Sequence, residues 1–139
     1  MPAMNALLNG QVLIDDESHM VTVRKTVRQA ATELGFGLTD VTRIVTAASE
    51  LARNAFRYAG SGVMRWQVLE RDGRQGLELV FEDHGPGMAN LEQAQQEGFT
   101  TSGGLGMGLP GAKRLMDDFE LQSTVGQGTT VTVRKWRRK

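Results

Sequence analysis

The sequence predicts an α/β fold in the α+β sense, a two-layer sandwich in which a mixed, mostly antiparallel sheet carries helices on one face. Three observations predict it. The elements read in the order strand, helix, helix, strand, strand, helix, helix, strand, strand, which is not the regular alternation of a parallel doubly wound sheet. Asp72-Gly73 stands between two apolar runs and is a strong signal for an antiparallel hairpin. With 139 residues and an apolar fraction of 40%, the chain has material for one sizeable core and is expected to form a single domain over residues 1–139.

Gln11 to Asp15 (QVLID) reads as the first strand. Val23, Val27, Ala30, Ala31 and Leu34 then recur at helical spacing between Met20 and Leu34, and Gly35 and Gly37 end that helix. A second helix is expected from Thr39 or Asp40, both good N-caps, to about Ala59, with Gly60 and Gly62 stopping it. Its apolar stripe is Val41, Ile44, Val45, Ala48, Leu51, Ala52 and Ala55. Val63 to Glu70 and Leu77 to Asp83 form the hairpin around Asp72-Gly73. A short helix is expected over Asn90 to Glu97, and Gly98 to Gly108 is too rich in glycine for regular structure. Pro110 suits the first turn of a helix running to Phe119, where its missing N–H is one of the donors left unpaired anyway. Leu121 to Val125 and Thr129 to Trp136 close the chain as a hairpin across Gly126-Gln127-Gly128. The tail from Lys135 to Lys139 (KWRRK) reads as a solvated, frayed charge run.

Sixteen basic residues balance sixteen acidic ones, which removes the general electrostatic attraction of a nucleic-acid binder. The absence of cysteine excludes disulfides, zinc–thiolate sites and cysteine nucleophiles. Residues 1–10 lack the basic start and long apolar core of an export signal, and no run approaches the length of a membrane span. A cytoplasmic, soluble protein with neither a nucleic-acid nor a membrane partner is therefore the expectation.

Three short motifs carry chemistry. Glu50 and Asn54 lie one helical turn apart, on the face expected to point away from the aliphatic stripe. An amide oxygen is a neutral hard ligand suited to a Mg²⁺ that already carries phosphate oxygens, and a nearby carboxylate can take a proton from an attacking hydroxyl. By itself the pair is commonplace on polar helix faces. Asp83-His84-Gly85-Pro86-Gly87 follows the hydrophobic run LELVF and places a carboxylate at a strand end. A carboxylate only accepts, as an adenine amino group requires, and Gly85 and Gly87 let backbone pass close to a flat ring; an ordinary turn is the plainer reading. His84 reads as a turn or rim histidine, and His19 as blander still. Thr100 to Pro110 (TTSGGLGMGLP) is a glycine loop entering a helix, where inward N–H groups and the helix N-terminus favour phosphate. No Gly-Lys-Ser/Thr follows, so it is not a P-loop. Gly128-Thr129-Thr130 alone says only hairpin. The weight comes from the order and spacing of all four.

That order resembles the GHKL ATPase superfamily, which shares the Bergerat ATP-binding fold with gyrase, MutL and histidine kinases, over essentially residues 11–136. Glu50 to Asn54 looks like the N box, Asp83 to Gly87 like the adenine-side glycine box, Gly104 to Gly108 like the phosphate-side box and Gly128-Thr129 like the last box. The resemblance implies that Asn54 ligands Mg²⁺, that Asp83 accepts from the adenine amino group with support from Thr129 through a water, and that Glu50 is the general base. It extends the nucleotide contacts to Thr100, Thr101 and Ser102 before the glycines, to Gly104, Gly106 and Gly108 themselves, and to Met107 and Leu109 beside them. Within the superfamily, ELGFG (33–37), ELARNAFRYAG (50–60), EDHGPG (82–87), GFTTSGGLGMGLPGAKRLMDDF (98–119) and GQGTTV (126–131) are most similar to the serine/threonine kinases of bacterial partner-switching systems, in particular the stressosome switch kinases. Such a kinase is expected to phosphorylate Ser or Thr on STAS-domain scaffold and antagonist proteins and to activate a PP2C-type phosphatase by binding it. No phosphoacceptor helix hairpin or transducer domain is read in these residues, so neither an autonomous histidine kinase nor a mechanical cycle is expected. Anti-sigma kinases are similar in size, so an anti-sigma kinase, or a nucleotide-dependent module that holds a sigma factor or phosphatase, is the alternative.

Overall fold

The computed structural model describes residues 9–85 and 108–138. Five strands form one sheet in the order β1-β2-β3-β5-β4, with β1 at Asn9–Ile14, β2 at Gly62–Arg71, β3 at Arg74–Asp83, β4 at Asp118–Thr124 and β5 at Gly128–Trp136. Helices α1 (His19–Leu34), α2 (Leu38–Ala59) and α3 (Gly108–Leu115) complete the described elements. The expected mostly antiparallel sheet is present, and every pairing among the described strands is antiparallel. The short helix expected over Asn90 to Glu97 lies outside the described residues.

Local sequence explains most of the boundaries. Asp72 and Gly73 both take positive φ, 54° and 78°, which is what a two-residue hairpin between Arg71 and Arg74 needs. Gly35 and Gly60 end α1 and α2 in the left-handed region, and their N–H groups satisfy carbonyls of the last turn. The whole expected stripe of α2, from Val41 to Ala55, is buried. That helix begins one residue before the expected Thr39 or Asp40 cap. Gly37 is the N-cap and Asp40 falls in the first turn, where its charge complements the helix dipole.

Strand alternation gives the sheet two unlike faces. Met64, Leu77, Leu79, Phe81, Val131 and Val133 point into the core formed with α1 and α2. The other face is not covered by a described helix and carries a polar lattice. Glu78 accepts from Gln67 Nε2 at 2.6 Å and from Arg134 Nε at 2.8 Å, and Arg134 Nη1 also reaches Glu120 at 3.3 Å. Burial pulls the Arg134 pKa down, but its bonds to Glu78 and Glu120 outweigh this and hold it above the ordinary arginine value.

Two expectations for the C-terminal third need correction. The helix expected to run from Pro110 to Phe119 spans Gly108–Leu115, and Asp118 and Phe119 open β4. The apolar spacing of Leu115, Met116 and Phe119 reads as helical, yet Phe119 and Leu121 are partly buried strand residues against the core. The tail expected to fray from Lys135 is ordered further than that: Lys135 and Trp136 belong to β5 and are only 6% and 7% exposed. The Lys135 ammonium donates to the Leu115 carbonyl at 3.0 Å and lies 3.5 Å from Asp117 and 3.9 Å from Asp40, so its charge is buried because it is paired. Trp136 lies flat on Gly76 and donates its Nε1–H to Asp118 at 2.9 Å.

Candidate functional site

Pairing of β3 with β5 sets Asp83 opposite Thr129, and pairing of β5 with β4 sets Thr129 opposite Ser123. These three polar side chains form one row at the end of the sheet, on its helix-bearing face, because each falls on the odd-numbered side shared with Phe81, Val131 and Leu121. Thr129 is buried, and its hydroxyl lies 2.7 Å from Ser123 Oγ. Asp83 Oδ1 accepts the N–H of Gly85 at 2.9 Å, which fixes the carboxylate, and among the described residues no donor reaches its Oδ2.

Glycines allow this end to close. A Cβ on Gly128 would lie 2.1 Å from the Asp83 carbonyl oxygen, and Gly128 holds φ at 132°. A Cβ on Gly85 would lie 2.6 Å from the Ala59 Cβ, and one on Gly62 would lie 3.2 Å from the Ala55 Cβ and 3.5 Å from that of Asp83. Only hydrogen fits at Gly128, so the β4–β5 hairpin rests directly on the Asp83-His84 backbone. The last two turns of α2 rest on the same strand end.

Asn54 precedes Ala55 in that stretch of α2. Its amide oxygen Oδ1 is buried and has no hydrogen-bond partner among the described residues. The sequence placed Asn54 on a face away from the aliphatic stripe. The residue as a whole is half-buried and stands outside the buried stripe, while its amide oxygen is enclosed. Glu50, one turn earlier, is half-buried and pairs with Arg53 Nη1 at 3.2 Å. Leu109, at the start of α3, is a core residue alongside Ala112 and Met116, so the helix that follows the glycine loop is seated on the core next to α2.

The structure thus gathers Asp83, Gly85 and Thr129 at one end of the sheet, where Ala59 of α2 packs, with Asn54 and Glu50 earlier on the same helix and Gly108 and Leu109 beginning the neighbouring one. Gly87, Thr100, Thr101, Ser102, Gly104, Gly106 and Met107 lie outside the described residues. His84 is exposed in the turn, and His19 pairs with Asp15 at 3.0 Å, remote in sequence from every member of this group. Sequence reasoning missed Gly62 and Ser123. Gly62 looked like a helix stop, and nothing local to Ser123 signals a role, since its neighbour is supplied by the register of another strand.

A buried carbonyl-type oxygen without a donor is costly, by about 1–3 kcal/mol. A hard cation or a ligand donor relieves that cost, and Mg²⁺ takes such oxygens. The residues present therefore fit the metal and the nucleotide: a neutral oxygen for a cation, an acceptor carboxylate for an amino group and closely packed backbone for a flat ring.

Comparison with known proteins is consistent with this chemistry. Residues 14–135 match the family described as the histidine kinase-like ATPase domain. The chain is 48% identical over 127 residues to the serine/threonine-protein kinase RsbT of Bacillus subtilis, covering 91% of this chain and 96% of that one. It is 34% identical over 120 residues to an anti-sigma F factor of a Geobacillus species, covering 81% of each. Among solved structures, the RsbU and RsbW domains of a Mycobacterium tuberculosis protein superpose with a TM-score of 0.62 at 22% identity, covering 94% of this chain and 33% of that longer one, which is a likeness of fold.

Proposed function

The chain belongs to the histidine kinase-like ATPase domain family and is an ATP-using protein serine/threonine kinase of the partner-switching kind, and on that premise we propose that it transfers the γ-phosphoryl group of Mg²⁺·ATP to a Ser or Thr of a STAS-domain antagonist or scaffold protein. The observation that carries the proposal is the buried Asn54 oxygen, without a hydrogen-bond partner among the described residues, on the helix whose last turn packs against the strand end that holds Asp83.

In this reading Asp83 Oδ2 accepts the adenine amino group, and its Oδ1 is kept in place by the Gly85 N–H. Thr129 supports that end of the site, and Thr100, Thr101, Ser102, Gly104, Gly106 and Met107 are proposed as nucleotide contacts together with Gly108 and Leu109 at the start of α3. Asn54 Oδ1 is the protein ligand of Mg²⁺, which when bound neutralises charge on the phosphate oxygens. No cluster of three His, Cys, Asp or Glu occurs among the described residues, so this one amide is the candidate ligand there. Glu50 accepts the hydroxyl proton as the partner oxygen bonds to the γ-phosphorus and the bond to the bridging oxygen breaks, releasing ADP. Arg53 holds that carboxylate while leaving it 30% exposed to an incoming partner.

Kinase chemistry and binding serve one cycle in the proposal. The unmodified partner captures the kinase, phosphorylation releases it, and the released kinase activates a PP2C-type phosphatase by binding. The setting proposed is the cytoplasm, and among the described residues no helix is long and apolar enough to cross a membrane. The 34% identity to anti-sigma F factors supports a second reading, in which the chain holds a sigma factor and phosphorylates its antagonist.

Incubation of the protein with γ-labelled ATP, Mg²⁺ and the purified STAS-domain protein encoded beside its gene tests the proposal. Label on a Ser or Thr of the partner is the expected result. A stable complex with the partner, with ATP bound but no label transferred, would replace the kinase reading with that of a nucleotide-dependent binding module.

A further inference from the structure

Ser123 lies on β4, two strands away from Asp83, and the nucleotide reading above gives it no role. Its Oγ is nevertheless 2.7 Å from Thr129 Oγ1 and 3.1 Å from the Gly128 carbonyl oxygen. Both contacts fall on the two residues that bring the β4–β5 hairpin against the Asp83 strand end: Gly128 through its close approach to the Asp83 carbonyl, and Thr129 through its register with Asp83. We propose that Ser123 is a positioning residue for the nucleotide, acting through Thr129, whose rotamer it fixes in the position opposite Asp83. This inference rests on the nucleotide reading of the previous subsection.

A hydroxyl has one proton to donate and two lone pairs. Two arrangements satisfy the observed distances. In the first, Ser123 donates to the Gly128 carbonyl and Thr129 donates to Ser123, so Thr129 faces the site as an acceptor only. In the second, Ser123 donates to Thr129, and the Thr129 proton is released toward the site, where it can be given to a water or a ring nitrogen beside the Asp83 carboxylate. Either hydroxyl can be the donor across the 2.7 Å contact, so the pair can pass between the two arrangements without moving a heavy atom. Without Ser123, a buried Thr129 would lose a partner that fixes its rotamer, and its hydroxyl would be free to take another. The alternating pattern of the strand supports a role for this pair in particular. Thr130 and Thr132 on β5 fall on the opposite face, beside Glu82 and Val80, and cannot join the row.

A double-mutant cycle read by calorimetric titration of ATP in the presence of Mg²⁺ tests the proposal. The variants are Ser123→Ala, the near-isosteric Thr129→Val and the two combined. Ser123→Ala is expected to weaken ATP binding by about 5-fold in the wild-type background, the order of one hydrogen bond, and by less than about 2-fold when Thr129 is already Val. Ser123→Thr, which restores the hydroxyl and suits a strand, should bind ATP within about 2-fold of wild type. Thermal unfolding of each variant shows whether it is folded, and Ser123→Thr carries the test should Ser123→Ala fold poorly. Unchanged affinity in a folded Ser123→Ala variant overturns the proposal. So does an equal loss in both backgrounds, which marks a merely structural effect, and so does a folded Ser123→Thr variant that binds as weakly as Ser123→Ala. Wild-type protein that binds no ATP overturns the nucleotide reading itself and this inference with it. Wild type that binds ATP while the cycle is additive removes Ser123 alone.

Discussion

At its C-terminal end, strand β5 carries Lys135 and Trp136, whose polar groups are all engaged: the ammonium with the Leu115 carbonyl and two carboxylates, the indole N–H with Asp118, and the Trp136 backbone N–H with Asp117 at 2.8 Å. At its N-terminal end the same strand carries Gly128 and Thr129, beside an aspartate whose Oδ2 meets no donor among the described residues, and the packed helix holds a buried amide oxygen that has no partner among them. Helix α2 spans both regions, since Asp40 in its first turn faces Lys135 and Ala55 and Ala59 in its last turns meet the strand end at Asp83. The difference separates two uses of buried polar atoms. Paired ones hold elements together, whereas unpaired ones lower stability and are kept where a ligand completes them.

The largest effect is expected at the paired end. Lys135→Met keeps the volume of the stem but leaves the Leu115 carbonyl without its donor and Asp117 without its cation, while Asp40 keeps Arg43 at 3.1 Å, so urea unfolding should show a loss of about 3 kcal/mol. ATP affinity, measured below the unfolding transition, should stay within about 2-fold of wild type if the two ends are separable. At the other end, Glu50→Gln keeps the shape of the side chain and removes the base. Phosphoryl transfer to the partner should slow by about 10²-fold, while ATP binding and the unfolding midpoint hold. Transfer at the wild-type rate would remove Glu50 as the base.

Asn54→Leu sharpens the contrast, because it should move stability and function in opposite directions. Replacing an unpartnered buried oxygen by an apolar group is expected to raise stability by about 1 kcal/mol and to weaken Mg²⁺·ATP binding by about 10-fold or more. A variant that is both less stable and unchanged in affinity would show that the oxygen is not held for a ligand. The smallest effect lies in neither region. Hydrogen bonds from the Ser18 hydroxyl and N–H hold the exposed Asp16 carboxyl below the usual carboxylate range. A lowered pKa gives stability that is present above the ordinary carboxylate value and is lost as pH falls through the lowered one. Asp16→Asn should therefore be slightly less stable than wild type at neutral pH and equal to it in strong acid, as urea midpoints at the two pH values would show.

The open end was largely legible in the sequence because its signals are local. Asp83-His84-Gly85, Gly128-Thr129 and the Glu50/Asn54 turn each show their chemistry within a few residues, and the apolar period of α2 fixes which side of that helix is buried. The paired end was not legible. Lys135 and Trp136 read as the start of a basic tail, and only the pairing of β5 between β3 and β4 buries them against Asp40 and Asp117, which are distant in sequence. The same reason hid Ser123. The end of α3 was misplaced because Met116 and Phe119 continue a helical spacing while the chain turns into β4.

Titration of ATP into the wild-type protein, first with Mg²⁺ and then with the metal chelated, followed by the same pair of titrations on Asn54→Leu, tests most directly whether the unpaired atoms are kept for a nucleotide and its metal. The account predicts one ATP bound per chain, an affinity that falls by about 10-fold or more on chelation in the wild type, and a fall of less than about 2-fold in the variant. A folded wild-type protein that binds no ATP, or a variant with the same Mg²⁺ dependence as wild type, would contradict it.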